Sequence, residues 1–369
     1  MEKKIPFFKF CIITIIFFIF LDLLIGKYLY RNFIRGEFID ADHAVGIKHD
    51  IFLRGFKKSY KTNTAGWGSI RFTLCTDPNG FRSACKNQYR YLKDFDIGFI
   101  GDSNTEPVGI NYEDSFVGII DNEFKDKKIA NLATASSSPA IYYAKINFLL
   151  SNEYKFKEIV VFIDPSDMRE DVACYGLEDD VVVRKMDSAI CTSVPLNLNE
   201  KIFTLVRSNL KLSFVLFKTI HKTLNNLGLF EYKMPNKILN DPRSSWTHNY
   251  NKKYYNDLDI KQSIDITIKN MEKLSDLLKR NNIDLSVAVY PFPGTLKYDT
   301  PTNAHVKLWE KFCEKNCKSF YNLMHPFFDE VANSNVDAVY RKFWIKDDVH
   351  FNEKGNKLIA NNFLKLHLK

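Results

Sequence analysis

The chain has 369 residues, 45% of them hydrophobic and 14% aromatic. That is enough apolar matter for one large domain with additions, and it excludes a disordered chain. The net charge of +8 is spread along the sequence, without the basic blocks interleaved with aromatics that mark a nucleic-acid surface, so no nucleic-acid partner is expected.

The first element is the apolar stretch from about Pro6 to Gly26, with Lys3, Lys4 and Lys9 toward its start and Tyr28, Tyr30 and Arg31 after it. At about 1.5 Å per residue it spans a hydrocarbon core of about 30 Å. A cleaved signal peptide is the competing reading. The run is longer than a signal core and no A-x-A-like site follows it, which favours a single transmembrane anchor over residues 9–26 behind a cytoplasmic stretch, 1–8. Asp22, near the outer end of this segment, is expected either to snorkel or to meet a membrane partner.

Lys27, Arg31 and Arg35 balance the N-terminal lysines, so charge alone leaves the orientation tied. The cysteines break the tie. Cys11 lies in the span, and the other six fall into near pairs, Cys75 with Cys85, Cys174 with Cys191 and Cys313 with Cys317. Such grouping suits disulfides in an oxidising compartment, which puts residues 27–369 outside the cytoplasm, in the periplasm behind an inner membrane. A zinc site is not expected, because Cys313 and Cys317 lack a second ligand pair.

Residues 27–90 read as an irregular extension packed on the main domain, with a tight turn at DPNGFR (Asp77–Arg82). Then short apolar runs follow: DIGFI (96–100), KIANL (128–132), EIVVFI (158–163), DLSVAVY (284–290) and SFYNL (319–323). Segments of helical spacing lie between them, the clearest carrying Ile264, Ile266, Ile268, Met271, Leu274, Leu277 and Leu278 at spacings of two to four, apart from the adjacent last pair. Alternation of this kind predicts an α/β domain over 91–369 with a parallel sheet covered on both faces and a site at the carboxyl ends of its strands. Residues 170–257 break the rhythm and read as a partly helical insertion.

Three polar segments follow expected strands: IGDSN, NLATASSSPA and IDPSDM; a fourth, DDVHFNEKG, precedes the last helix. A serine hydroxyl is a weak nucleophile unless a base takes its proton, and that base needs an orienting partner. Ser103 in the first segment is the candidate nucleophile, His350 the candidate base, and Asp347, three residues earlier, the candidate orienting acid. The plainer alternative makes Asp347 and Asp348 loop acids and Asn352 an N-cap.

On these segments the chain resembles the SGNH/GDSL hydrolase family over roughly residues 90–369: IGDSN is similar to its first block, NLATASS to the second, DPSD to the third and DDVH to the fifth. In form it resembles the membrane-anchored branch that includes alginate-type polysaccharide O-acetylation proteins; DPNGFR and YPFPG (290–294) add to that likeness. The resemblance implies a flavodoxin-like three-layer fold, a Ser103–His350–Asp347 triad, and an oxyanion hole at Ser103, Ser136 and Ser166. Two departures stand out: family members offer a glycine where Ser136 stands and an asparagine where Ser166 stands. A backbone N–H survives the first change, whereas the second trades an amide for a shorter hydroxyl donor.

The expected activity is O-acyl ester hydrolysis or O-acyl transfer on a cell-envelope glycan or a small acyl ester, with no cofactor or metal and with a membrane acyltransferase as an expected partner. A non-catalytic scaffold that binds glycan or that acyltransferase is the alternative. His43, His49, His305 and His325 lack paired ligands at suitable spacing and read as ordinary histidines, and Trp309 and Trp344 as core or pocket walls.

Overall fold

The five apolar runs expected as strands form one parallel sheet in the computed structural model, which describes residues 7–30, 39–40, 45–68, 70–185, 202, 205–206, 208–226 and 233–368. These strands are β1 (Asp94–Gly101), β2 (Ile129–Asn131), β3 (Lys155–Ile163), β4 (Asp284–Val289) and β5 (Ser319–Asn322), in spatial order β2-β1-β3-β4-β5. Every pairing is parallel. The order is flavodoxin-like, with its reversal between β1 and β3, where ligands of such sheets bind.

Central strand β3 is buried on both faces from Glu158 onward. On one face Ile159, Val161 and Ile163 pack with Val287, Val289, Met271, Leu274 and Leu278. On the other, Phe162 lies 4.5 Å from Phe116, 5.9 Å from Phe99 and 5.6 Å from Phe363 between ring centroids. Burying each such side chain contributes about 2–3 kcal/mol. The flanking helices begin at ordinary caps. Ser115 accepts from Gly118 N–H, Asn303 from Val306 N–H, and Asp259 with Gln262 closes a capping box before the helix Ile260–Arg280.

The stretch expected to be irregular, 27–90, instead holds two small sheets. Gly46–His49 pairs with Leu53–Phe56, and Lys61–Trp67 lies between Ile39–Asp40 and Ile70–Cys75. Their polar outer faces, as in KTNTAGW, hide the strand pattern. The turn at DPNGFR forms as expected, with Asp77 Oδ1 accepting from Asn79 and Phe81 N–H. Cys75–Cys85 and Cys313–Cys317 are disulfides, and Cys174 is disulfide-bonded. Lys3, Lys4, Arg31, Arg35, His43 and Cys191 lie outside the described residues.

The chain divides into two compact units, Met1–Phe38 with Pro195–Lys233, and Ile39–Val194 with Met234–Lys369. The stretch 170–257 is therefore not one insertion: its middle groups with the N-terminal segment and its two ends belong to the sheet domain. The N-terminal unit contains the one helix among the described residues long and apolar enough to cross a membrane, Ile12–Leu29.

Candidate active site

β1 delivers Ser103 to the carboxyl edge of the sheet. A Cβ on Gly101 would lie 2.6 Å from Phe162 O, so glycine is what lets the chain leave the sheet there. Thr105 and Glu106 N–H then donate to Asp102 O at 2.9 Å each, and Val108 N–H donates to Ser103 O at 3.0 Å, leaving Ser103 half-buried on the turn.

His350 is brought to the same place by its neighbour: Phe351 N–H donates to Asn104 Oδ1 at 3.1 Å. This bond joins the residue after Ser103 to the residue after His350, across 247 positions. Among the described residues Ser103 Oγ has one partner in hydrogen-bond range, Asp102 Oδ2 at 3.5 Å. No hydrogen bond joins it to His350, an open arrangement that unliganded sites commonly show.

The carboxylate placed against the His350 imidazole is that of Asp348, not of the expected Asp347. Asp348 Oδ1 lies 2.5 Å from His350 Nδ1 and accepts His350 N–H at 3.1 Å. The reason is local: Asp347 takes φ +62° on the outside of a tight turn closed by Asp348 N–H on Ile345 O and Ile345 N–H on His350 O. That turn leaves Asp347 exposed and sends the next side chain back onto the imidazole. Asn352 is also the cap, accepting from Lys354 and Gly355 N–H, as the plainer alternative expects.

Two residues of the extension reach this site, and sequence reasoning missed both roles. Trp67 Nε1 donates to Asp348 Oδ2 at 2.7 Å, and its ring stands edge-on to His350 with centroids 5.2 Å apart. Arg82, 1% exposed, donates from Nε to Glu106 O at 3.1 Å and from Nη2 to Ile110 O at 3.4 Å, bracing the turn that carries Ser103. Burial works against it, yet the His350 charge and the bonds from His350 and Trp67 hold the Asp348 carboxyl well below its usual range. His350 is raised in turn, the Asp348 carboxylate outweighing burial.

The second segment presents a donor. Ser136 has φ +57°, a left-handed conformation natural to the glycine its position resembles. It is held there from both sides, by Ala135 N–H on Glu106 Oε2 at 2.5 Å and Ser137 N–H on Asp102 Oδ1 at 3.2 Å. Ser136 N–H itself has no hydrogen-bond partner among the described residues. Ser166 departs from expectation: both its N–H and its Oγ donate to Asp164 Oδ1, each at 2.7 Å. Its one hydroxyl proton is thus engaged by a buried carboxylate rather than free for an oxyanion.

Behind Ser103, the carboxylates of Asp102, Asp164 and Asp167 lie within 4.8 Å of one another, the one cluster of three possible metal-ligating acids among the described residues. Donors already address them, Tyr290 OH on Asp164 at 3.2 Å and Tyr142 OH on Asp167 at 2.9 Å, as in a hydrogen-bonded acid cluster. Burial and the Asp164 charge raise the Asp102 carboxyl to about 7, and burial raises the carboxyls of Asp164 and Asp167 as well. The segment after 233 adds a cation. Arg243 forks onto Asp241, with Nη2 at 2.6 Å, while Trp246 Nε1 on Pro165 O at 2.8 Å fastens this loop over the third segment.

The remaining candidates are structural. His305 is 1% exposed between Trp246 and Trp309, and burial lowers its pKa to about 4. His49 stacks on Phe52, His325 is exposed at a helix start, and Trp309 and Trp344 are core.

No family model matches the chain, and no curated protein matches it. Among solved structures it is similar to a lipolytic protein of the G-D-S-L family from Veillonella parvula DSM 2008, at 12% identity over 74% of this chain and 98% of that one, with a TM-score of 0.39. It is also similar to a catalytic mutant of an acetylxylan esterase from Geobacillus stearothermophilus, at 11% identity over 73% and 93%, with a TM-score of 0.39. A psychrotrophic esterase from Pseudoalteromonas sp. matches at 9% identity over 75% and 97%, with a TM-score of 0.36. Likenesses this distant leave the chemistry to be read from the residues of the site itself.

Proposed function

We propose that the chain is an SGNH-type serine ester hydrolase or O-acyltransferase, anchored in a membrane and acting outside the cytoplasm on an O-acylated envelope glycan. Ser103 Oγ attacks the ester carbonyl while His350 Nε2 takes its proton, and the N–H groups of Ser103 and Ser136 receive the oxyanion. Collapse breaks the ester C–O bond, the imidazolium returns the proton to the departing alcohol, and the acyl group on Ser103 passes to water or to a sugar hydroxyl. The observation that carries this reading is the Asp348–His350 pair, with Nε2 unpartnered among the described residues, in a segment tied by Asn104 to that of Ser103.

The disulfides favour an oxidising compartment. One observation favours the second reading, a scaffold that binds acylated glycan or a membrane acyltransferase without turnover: the Ser166 hydroxyl is spent on Asp164. Losing one oxyanion donor costs about 10²–10³ in rate, which slows an enzyme without abolishing it. Release of acetate from an acetylated glycan, with and without acceptor sugars, tests the proposal. Acetate release that disappears in Ser103→Ala supports hydrolysis, acetyl transfer to the acceptor supports the transferase, and neither from folded protein leaves the scaffold.

A further inference from the structure

Asp22 is the one acid in the apolar N-terminal helix, and it is 1% exposed. Leu212 N–H donates to its Oδ1 at 2.9 Å and Ser213 N–H to its Oδ2 at 2.6 Å. Both donors belong to the first turn of the helix Lys211–Asn226, where N–H groups have no intrahelical acceptor. Leu210, which precedes that helix, has no side-chain oxygen to cap it. Asp22 does this work from 190 positions away.

The anchor is shaped for the contact. Its helix widens to a π turn over Asp22–Gly26, and a Cβ on Gly26 would run into the Asp22 carboxylate. Lys211 Nζ lies 5.4 Å from the centre of the Tyr30 ring. A leader cut away on export would leave the first turn of Lys211–Asn226 without these two acceptors, so the pairing favours a retained segment.

Both helices turn apolar side chains outward. Leu23 and Leu24 are 53% and 64% exposed on one, and Leu216, Phe217 and Ile220 are 51%, 61% and 49% exposed on the other. Positions 216, 217 and 220 share one arc of a helix. Asp22 precedes Leu29, the end of the membrane-length window, by 29 − 22 = 7 residues, or about 10 Å of helix. In-plane amphipathic helices bury their apolar faces to about that depth.

We infer that the helix Lys211–Asn226 is a membrane-interface element, docked on the anchor through Asp22, with Leu216, Phe217 and Ile220 among the acyl chains of a lipid bilayer. The inference rests on the anchor reading above and adds a second membrane contact, supplied by a segment far from the N-terminus in sequence.

The test uses the full chain in phosphatidylcholine–phosphatidylglycerol vesicles, with plain or brominated acyl chains, and the variant Phe217→Trp. Its emission above wild type is expected to be quenched in brominated relative to plain vesicles, as for a side chain buried at the acyl boundary, and Asp22→Ala or Gly26→Ala in the same chain is expected to restore it. An intact N-terminus by mass spectrometry with unquenched emission overturns the inference and leaves the anchor standing. An N-terminus shortened past Asp22 overturns the anchor reading and the inference with it. Quenching that Asp22→Ala does not relieve overturns the docking role of Asp22.

Discussion

Asp347 and Asp348 are adjacent and chemically identical, so substituting each in turn isolates what geometry alone decides. In Asp348→Asn the amide faces three donors, His350 Nδ1–H at 2.5 Å and His350 backbone N–H at 3.1 Å on one side and Trp67 Nε1–H at 2.7 Å on the other. It has one oxygen to offer. With its NH₂ toward Trp67, two N–H groups oppose each other; with its NH₂ toward His350, it opposes the backbone N–H of that residue, and Nδ1 must give up its proton and Nε2 must carry one. The second arrangement leaves a base that cannot accept from Ser103. Loss of the orienting carboxylate from such a triad costs about 10³–10⁴ in kcat, or about 4–5.5 kcal/mol of transition-state stabilisation. Asp347→Asn retains an exposed residue that tolerates φ +62° and is expected to stay within about twofold of wild type. The assay is p-nitrophenyl acetate hydrolysis against pH. Activity needs neutral His350, whose pKa is raised above 6.5 by Asp348, so the wild-type rate should climb with pH through a midpoint above 6.5, and in Asp348→Asn the midpoint of the residual rate should move down. Loss of activity in Asp347→Asn with Asp348→Asn unaffected would refute the assignment.

Trp67→Phe keeps the ring against His350 and removes one hydrogen bond to a charged group, a loss of about 1.5–3 kcal/mol, so kcat should fall about 10–100-fold with KM little changed; an unchanged kcat counts against Trp67 as a positioning residue. Ser136→Gly should keep full activity, because the backbone is already left-handed, whereas Ser136→Pro removes the N–H and should cost about 10²–10³ in kcat, with circular dichroism checking that the variant folds. Asn104→Ala should lower stability by about 1–3 kcal/mol in urea unfolding, leaving Phe351 N–H buried without its acceptor, and should lower kcat as well; stability loss with kcat intact would show that Asn104 does not hold the two segments in register.

The sheet was legible because each core strand is a short apolar run that needs no partner to be recognised: EIVVFI is apolar on both faces, and only a doubly covered sheet buries it. The extension was not, because short strands such as KTNTAGW, with exposed polar residues, do not differ in pattern from loop. The order of segments along the chain led to the expectation that Ser103 and His350 share a site, and it is their neighbours, Asn104 and Phe351, that are hydrogen-bonded. The choice between Asp347 and Asp348 could not, because it turns on the sign of one φ angle. Trp67 acts 281 positions from its partner, and no local spacing announces such a contact. Sequence does not show that Asp164, two residues before Ser166, folds back to take its hydroxyl proton.

The central claim is that Ser103 is a nucleophile activated by His350. It is tested most directly by treating the folded protein with a fluorophosphonate and locating the adduct by peptide mass spectrometry. One adduct on Ser103, absent in Ser103→Ala and formed far more slowly in His350→Ala, is the predicted result. Folded wild-type protein that stays unlabelled, or that labels at another residue while Ser103 is untouched, would contradict it.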